Sequence, residues 1–153
     1  MRAWRLVRRP HTALDGEGAR RYGGRWNSPG VAVVYASHTL SLAVLEYLAR
    51  TESDLLPDDL VQLEIEVPDA LSRVTVDLTA LPRHWRTDQA ITRALGDAWA
   101  TGGETPLLVV PSVLVPHEQN LLINPRHPQS QVVGPVSRAP FRLDERIVGR
   151  RRR

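Results

Sequence analysis

The 153-residue chain contains no cysteine and no lysine. All 20 basic residues are arginine, and the only methionine is Met1. Without cysteine there is no thiolate nucleophile, no redox pair and no zinc–thiolate cluster. Without lysine there is no Schiff base and no phosphate-loop ammonium. Carboxylate, serine, histidine, tyrosine and arginine chemistry remain. The five histidines (His11, His38, His84, His117 and His127) show no metal-ligand spacing, so no metal is expected. Long apolar runs are missing too. The longest, Pro106 to Pro116, is interrupted by proline and too short to span a bilayer. The stretch Met1 to Arg9 lacks the apolar core of a secretory signal. A cytoplasmic protein without membrane association is therefore expected.

The rest of the composition is that of a globular chain, 42% hydrophobic and 24% charged, long enough for one domain with a sizeable core. The formal charge of +3 overstates its basic character. Arg150 to Arg153 supply four of the 20 arginines, and the remaining 16 face 17 acidic residues. A basic end without a basic face argues against nucleic-acid binding. The expected organisation is one domain over residues 1–149, followed by a disordered basic tail over 150–153.

Hydrophobic periodicity predicts strands at Trp4–Val7, Val31–Ala36, Val61–Val67, Arg73–Leu78, Leu107–Val110 and Val113–Val115. Shorter ones are predicted within Gln131–Val136 and Phe141–Arg146. Arg8 to Arg21 reads as a loop, and Tyr22 to Gly30 is too dense in turn formers for regular structure. One helix is predicted over Thr39–Arg50, with Ser37 or Thr39 as its cap. A second is predicted over Asp88–Thr101, with Ile91, Ala94, Leu95, Ala98 and Trp99 on its apolar face. Strands and helices mix without regular alternation, which indicates an α+β fold.

Three features break these patterns. The first predicted helix is apolar nearly all round, hence expected to be buried, yet it carries Glu46 as its only acidic side chain. A carboxylate there is costly unless it is paired or used, so Glu46 is either catalytic or part of a structural ion pair. The glycine-rich segment Gly23-Gly24-Arg25-Trp26-Asn27 can bring backbone N–H groups and an arginine fork to an anion, with Trp26 available for stacking. It can equally be a plain turn with its tryptophan in the core. Ser112 is a lone hydroxyl in an apolar, proline-bounded run without the glycines of a nucleophile elbow. It reads as a ligand contact or as a buried serine bonded to backbone.

Taken in order, Gly23-Gly24-Arg25-Trp26-Asn27-Ser28-Pro29-Gly30, Val33-Val34-Tyr35-Ala36-Ser37 and Ser41-Leu42-Ala43-Val44-Leu45-Glu46 strongly resemble the RES domain. Val110-Pro111-Ser112 and Asn120-Leu121-Leu122-Ile123-Asn124-Pro125-Arg126-His127-Pro128 continue the match, from about Trp4 to past Pro128. The family's signature arginine, glutamate and serine fall on Arg25, Glu46 and Ser112. The resemblance implies an ADP-ribosyltransferase-like mixed sheet and a bacterial toxin paired with an Xre-type helix-turn-helix antitoxin. NAD is implied as substrate rather than as resident cofactor. It is degraded by hydrolysis or phosphorolysis, with inorganic phosphate then a co-substrate, or it donates ADP-ribose to a protein. Self-association as a homodimer is a further possibility.

On that reading Arg25, Tyr35, Glu46 and Ser112 are the catalytic candidates. Arg5, Arg25, Trp26 and Asn27 are the candidates for holding NAD. Glu46 stabilises a ribosyl cation, Arg25 and Arg5 hold phosphates, Tyr35 and Trp26 shape a nicotinamide slot, and Ser112 bonds the ligand. Nicotinamide leaves as a neutral molecule, so one carboxylate suffices and no strong general acid is needed.

Overall fold

The computed structural model describes residues 1–52 and 56–149, so the expected tail over 150–153 lies outside the described residues. In chain order the elements are β1 (Arg2–Arg8), α1 (Glu17–Tyr22), β2 (Val34–Ser37), α2 (Leu40–Arg50), β3 (Leu60–Glu66) and β4 (Arg73–Thr75). They continue with α3 (Gln89–Gly102), β5 (Leu107–Pro111), β6 (Gln119–Ile123), β7 (Gly134–Pro140) and α4 (Glu145–Gly149). The strands form one mixed sheet in the order β4-β5-β6-β2-β1-β3-β7. Among the described residues only the β4–β5 pair is parallel, which gives the expected α+β class. Among the described residues, no helix is long and apolar enough to cross a membrane.

The apolar runs without alternation are explained by burial on both faces of the sheet. Leu107 and Val109 join one core cluster with Val34, Ala36, Leu63, Ile65, Leu121 and Ile123. Their neighbours Leu108 and Val110 join a second with Trp26, Val33, Trp85 and Leu122. Successive strand residues point to opposite faces, so a run buried on both sides must be apolar throughout.

Several expectations are corrected. Arg8 to Arg21 is not all loop: α1 starts at Glu17, where the Asp15 carboxylate accepts the Glu17 N–H at 3.0 Å and Glu17 pairs with Arg20 and Arg21. The strand expected over Val31–Ala36 is shifted to Val34–Ser37. The strand from Arg73 ends at Thr75, because Asp77 caps a short turn over Leu78–Ala80. Val113–Val115 is a turn, since the Ser112 hydroxyl takes the N–H groups of Leu114 and Val115. The strand predicted within Gln131–Val136 is β7, which begins at Gly134 after a 3-10 turn at Pro128–Val132, whereas the strand predicted within Phe141–Arg146 is absent from these described residues and α4 begins at Glu145.

Both long helices present different faces from those expected. Thr39 caps α2 by accepting the Leu42 N–H, and Leu42, Ala43 and Leu48 are buried. The helix is not buried all round, because Leu45 remains 46% exposed. Helix α3 buries Thr92 and Gly96, while Leu95, on the predicted core face, is 41% exposed.

Candidate active site

Glu46 lies two turns into α2, half-buried over the ends of three adjacent strands. Its Oε1 accepts a hydrogen bond from Asn120 Nδ2 at 2.7 Å and another from Ser112 Oγ at 3.1 Å. The sheet brings these partners together. Strand β5 ends at Pro111 opposite Gln119, which sets Ser112 beside the start of β6. Asn120 pairs with Ser37 on β2, and Ser37 Oγ donates to Asn120 Oδ1 at 2.7 Å. That bond orients the amide so that its NH2 faces Glu46. Oε2 accepts no hydrogen bond from the described residues, and Glu46 is absent from their ion pairs. The structural ion pair left open above is therefore not its role among the described residues.

Ser112 takes the second of its two expected roles, a buried serine bonded to backbone. Its hydroxyl donates to Glu46 and accepts the N–H groups of Leu114 and Val115, each at 3.1 Å. One donor and two acceptor sites are all a serine has. The residue is 2% exposed, so it holds Glu46 in place and has no bond left for a ligand. It nevertheless borders a cavity of about 490 Å³ that is also lined by Arg86, His117, Gln119 and Asp77. Glu46 does not line that cavity itself and is linked to its wall by the bond from Ser112.

The glycine-rich loop supports Arg25 on buried neighbours. Gly24 and Asn27 form a one-residue bridge, and Arg25 Nη1 donates to the Arg86 carbonyl at 2.8 Å. Arg25 thus touches neither Glu46 nor Ser112 directly, but reaches the backbone of a residue that lines the same cavity as Ser112. Trp26 and Asn27 are corrections. The Trp26 ring is 2% exposed and lies 6.2 Å from the ring of Trp85, so no face is free for nicotinamide. Asn27 is fully buried and donates to the carbonyls of Ala19, Ser28 and Val31. It is a strut of the loop.

Tyr35 completes that strut. Its hydroxyl donates to Asn27 Oδ1 at 2.6 Å and accepts the Trp26 N–H at 3.0 Å. Burial pushes its pKa up to about 12, partly opposed by the Trp26 N–H. A Cβ on Gly24 would meet the Tyr35 hydroxyl at 2.7 Å, so only glycine fits there.

Arg5 is held loosely. Its Nη1 lies 3.4 Å from the Ala13 carbonyl oxygen; burial, and then the neighbouring charge of Arg50, lower its pKa, with Asp15 opposing. Arg50 stands one turn beyond Glu46, donates to its carbonyl at 3.3 Å, and also acts electrostatically on Tyr35. Arg5, Arg25 and Arg50 form no ion pair with a carboxylate among the described residues. Two neighbouring cations, neither of them in an ion pair among the described residues, suit an anionic ligand.

The sequence did not reveal Asn120 as a partner of Glu46, Ser37 as the support of Asn120, or Arg50 as the like charge beside Arg5. Asn120 had one visible signal, a polar residue opening the run Leu121–Ile123. The later Asn124 is structural. It donates to the Ala100 carbonyl and accepts the Arg126 N–H, which ties the end of α3 to β6. No group of three histidine or acidic side chains able to hold a metal occurs among the described residues.

The site is a carboxylate fixed by two neutral donors, on a mixed seven-stranded sheet with unpaired arginines nearby, and comparison with known proteins supplies the family. The RES domain pattern matches residues 2–144, and the chain belongs to the RES-domain family. A Sphingobium protein named Prs ADP-ribosylating toxin is 39% identical, with 95% of each chain covered. A Yersinia enterocolitica protein named Toxin Res is 38% identical over 96% of this chain and 99% of its own. A chain of the M. tuberculosis MbcT–MbcA toxin–antitoxin complex superposes with a TM-score of 0.74, covering 99% of this chain and 88% of its own. At 20% identity, that likeness speaks for the fold.

Proposed function

We propose that the chain is the toxin of a bacterial toxin–antitoxin module and that it cleaves the nicotinamide–ribose bond of NAD. The observation that carries this reading is Glu46: one carboxylate, fixed through Oε1 by Ser112 and Asn120, with Oε2 free and no cation paired to it among the described residues. Such a group is suited to stabilising positive charge on a ribose. In the reaction the C1′–N bond breaks, and its electron pair leaves with neutral nicotinamide. The ribosyl cation forms beside Glu46, and an acceptor oxygen attacks C1′ and releases its proton. Arg5, Arg50 and Arg25 are the groups available to the diphosphate.

The acceptor is water or inorganic phosphate, which makes the protein an NAD glycohydrolase or phosphorylase. The name of the Sphingobium relative favours a second reading, transfer of ADP-ribose to a protein. A toxin of either kind needs an inhibitor, and the toxin–antitoxin complex of the structural neighbour supports an antitoxin partner. The Xre type follows from the RES resemblance alone.

The test is to incubate the purified chain with NAD, with and without phosphate, and in a bacterial extract. Nicotinamide release with free ADP-ribose identifies hydrolysis. Release with phosphorylated ADP-ribose identifies phosphorolysis, and ADP-ribose bound to protein identifies transfer. No nicotinamide release in any arm refutes the proposal.

A further inference from the structure

Helix α3 packs Trp99 and Ala100 against the core, while its inward-facing Thr92, Arg93, Gly96 and Asp97 meet the glycine-rich loop almost one by one. Arg93 Nε donates to the Gly24 carbonyl at 2.9 Å. The hydroxyl of Thr92, fully buried, donates to the Arg25 carbonyl at 2.5 Å. A Cβ at Gly96 would fall 1.7 Å from the Trp26 carbonyl oxygen, so the helix and the loop backbone touch there. The Asp97 carboxylate accepts the Ser28 N–H at 2.8 Å. The remaining loop residue, Asn27, is held by Tyr35 from the other side.

A helix face used only to fill a core would carry leucine or alanine inward. Here four residues within two turns are spent on fixing a five-residue loop whose one charged side chain is Arg25. We infer that Thr92, Arg93, Gly96 and Asp97 are positioning residues: α3 sets where the Arg25 guanidinium stands and thereby sets affinity for the anionic part of the substrate. The inference rests on the proposed function for the identity of that substrate. It assigns no chemistry to α3, because Glu46 is held separately by Ser112 and Asn120.

The test compares Thr92→Val with Thr92→Ser, and Asp97→Ala with Asp97→Asn, in the full chain. Valine and alanine remove the bond to the loop, whereas serine keeps the donor and asparagine keeps the acceptor oxygen. Thr92→Val is expected to raise KM for NAD about five-fold, the equivalent of one neutral hydrogen bond, and Asp97→Ala about ten-fold or more, because its bond is to a carboxylate, while kcat stays within about two-fold in both. Thr92→Ser and Asp97→Asn are expected to restore KM. A merely structural role would lower the unfolding temperature and leave KM at the wild-type value, and that result overturns the inference. If Thr92→Val fails to fold, the Asp97 pair decides alone. Near-ultraviolet circular dichroism of the Trp26–Trp85 pair gives a second readout that needs no substrate. It should change in Thr92→Val and recover in Thr92→Ser, and an unchanged spectrum in both contradicts the loop placement. Wild-type protein that releases no nicotinamide refutes the functional reading instead, and the dichroism then decides the loop placement by itself.

Discussion

Replacing Asn120 by alanine removes the shorter of the two bonds to Glu46, 2.7 Å from Nδ2 to Oε1. A hydrogen bond to a charged group contributes about 1.5–3 kcal/mol, and each ~1.4 kcal/mol is a factor of ten. If the bond orients the carboxylate for the transition state, Asn120→Ala should lower kcat/KM for NAD by about ten- to a hundred-fold. Ser37 touches Glu46 only through Asn120, by the 2.7 Å bond from Ser37 Oγ to Asn120 Oδ1. Ser37→Ala should therefore cost the ~1 kcal/mol of a neutral bond, about a five-fold loss. In the double variant that second loss should vanish, because the group through which Ser37 acts is gone. The assay is nicotinamide release from NAD by wild type, both single variants and the double variant, with thermal unfolding of each measured in parallel. Losses that simply add, or a Ser37→Ala effect as large as that of Asn120→Ala, would refute the relay from Ser37 through Asn120 to Glu46.

Arg5→Leu should weaken NAD binding yet raise the unfolding temperature, because Arg5 is desolvated, faces the like charge of Arg50 and has only a long 3.4 Å bond. Titrating NAD and melting both proteins checks this, and a less stable Arg5→Leu contradicts it. Tyr35 has its pKa raised from its ordinary 10 to about 12 by burial, so the folded state keeps a proton that the unfolded state releases in that window. Its contribution to stability is thus complete below pH 10 and is lost as the pH rises towards about 12, with about 3 kcal/mol at stake. Tyr35→Phe cannot titrate, so in urea unfolding its stability gap to wild type should narrow between pH 9 and about pH 11.5; a constant gap counts against the argument. Deleting Arg150 to Arg153 should leave NAD consumption within about two-fold of wild type, since none of the proposed chemistry uses the tail; the same nicotinamide assay checks this, and loss of activity would assign the tail a role.

The sheet was legible where burial on both faces forces a continuous apolar run, as at Leu107–Val110, and where alternation is strict, as at Val61–Val67. It was illegible where side chains take over the backbone's bonds. Ser112 converts an apolar strand candidate, Val113–Val115, into a turn through two hydrogen bonds that no periodicity records. Helix α3 misled in a different way. Its apolar periodicity correctly indicated a helix and the packing of Trp99 on the core, but Leu95 stays exposed because Thr92 and Gly96 take the inward positions against the loop. Glu46 stood out as a carboxylate in an apolar helix, and Ser112 as a hydroxyl in an apolar run; the sheet register then places them side by side. Trp26 and Asn27 looked like ligand contacts because turn-rich, aromatic-bearing segments can be either sites or supports. Burial alone separates the two. Ser37 and Arg50 carried no local anomaly, and their roles appear only when strands β2 and β6 and helix α2 are brought together.

The central claim rests on the charge of one side chain. Glu46→Gln keeps the Oε1 acceptor that Ser112 and Asn120 engage, so fold and unfolding temperature should stay near those of wild type. Nicotinamide release from NAD should fall by at least a hundred-fold, because the negative charge that stabilises the ribosyl cation is gone. A well-folded Glu46→Gln protein that consumes NAD at the wild-type rate would contradict the account.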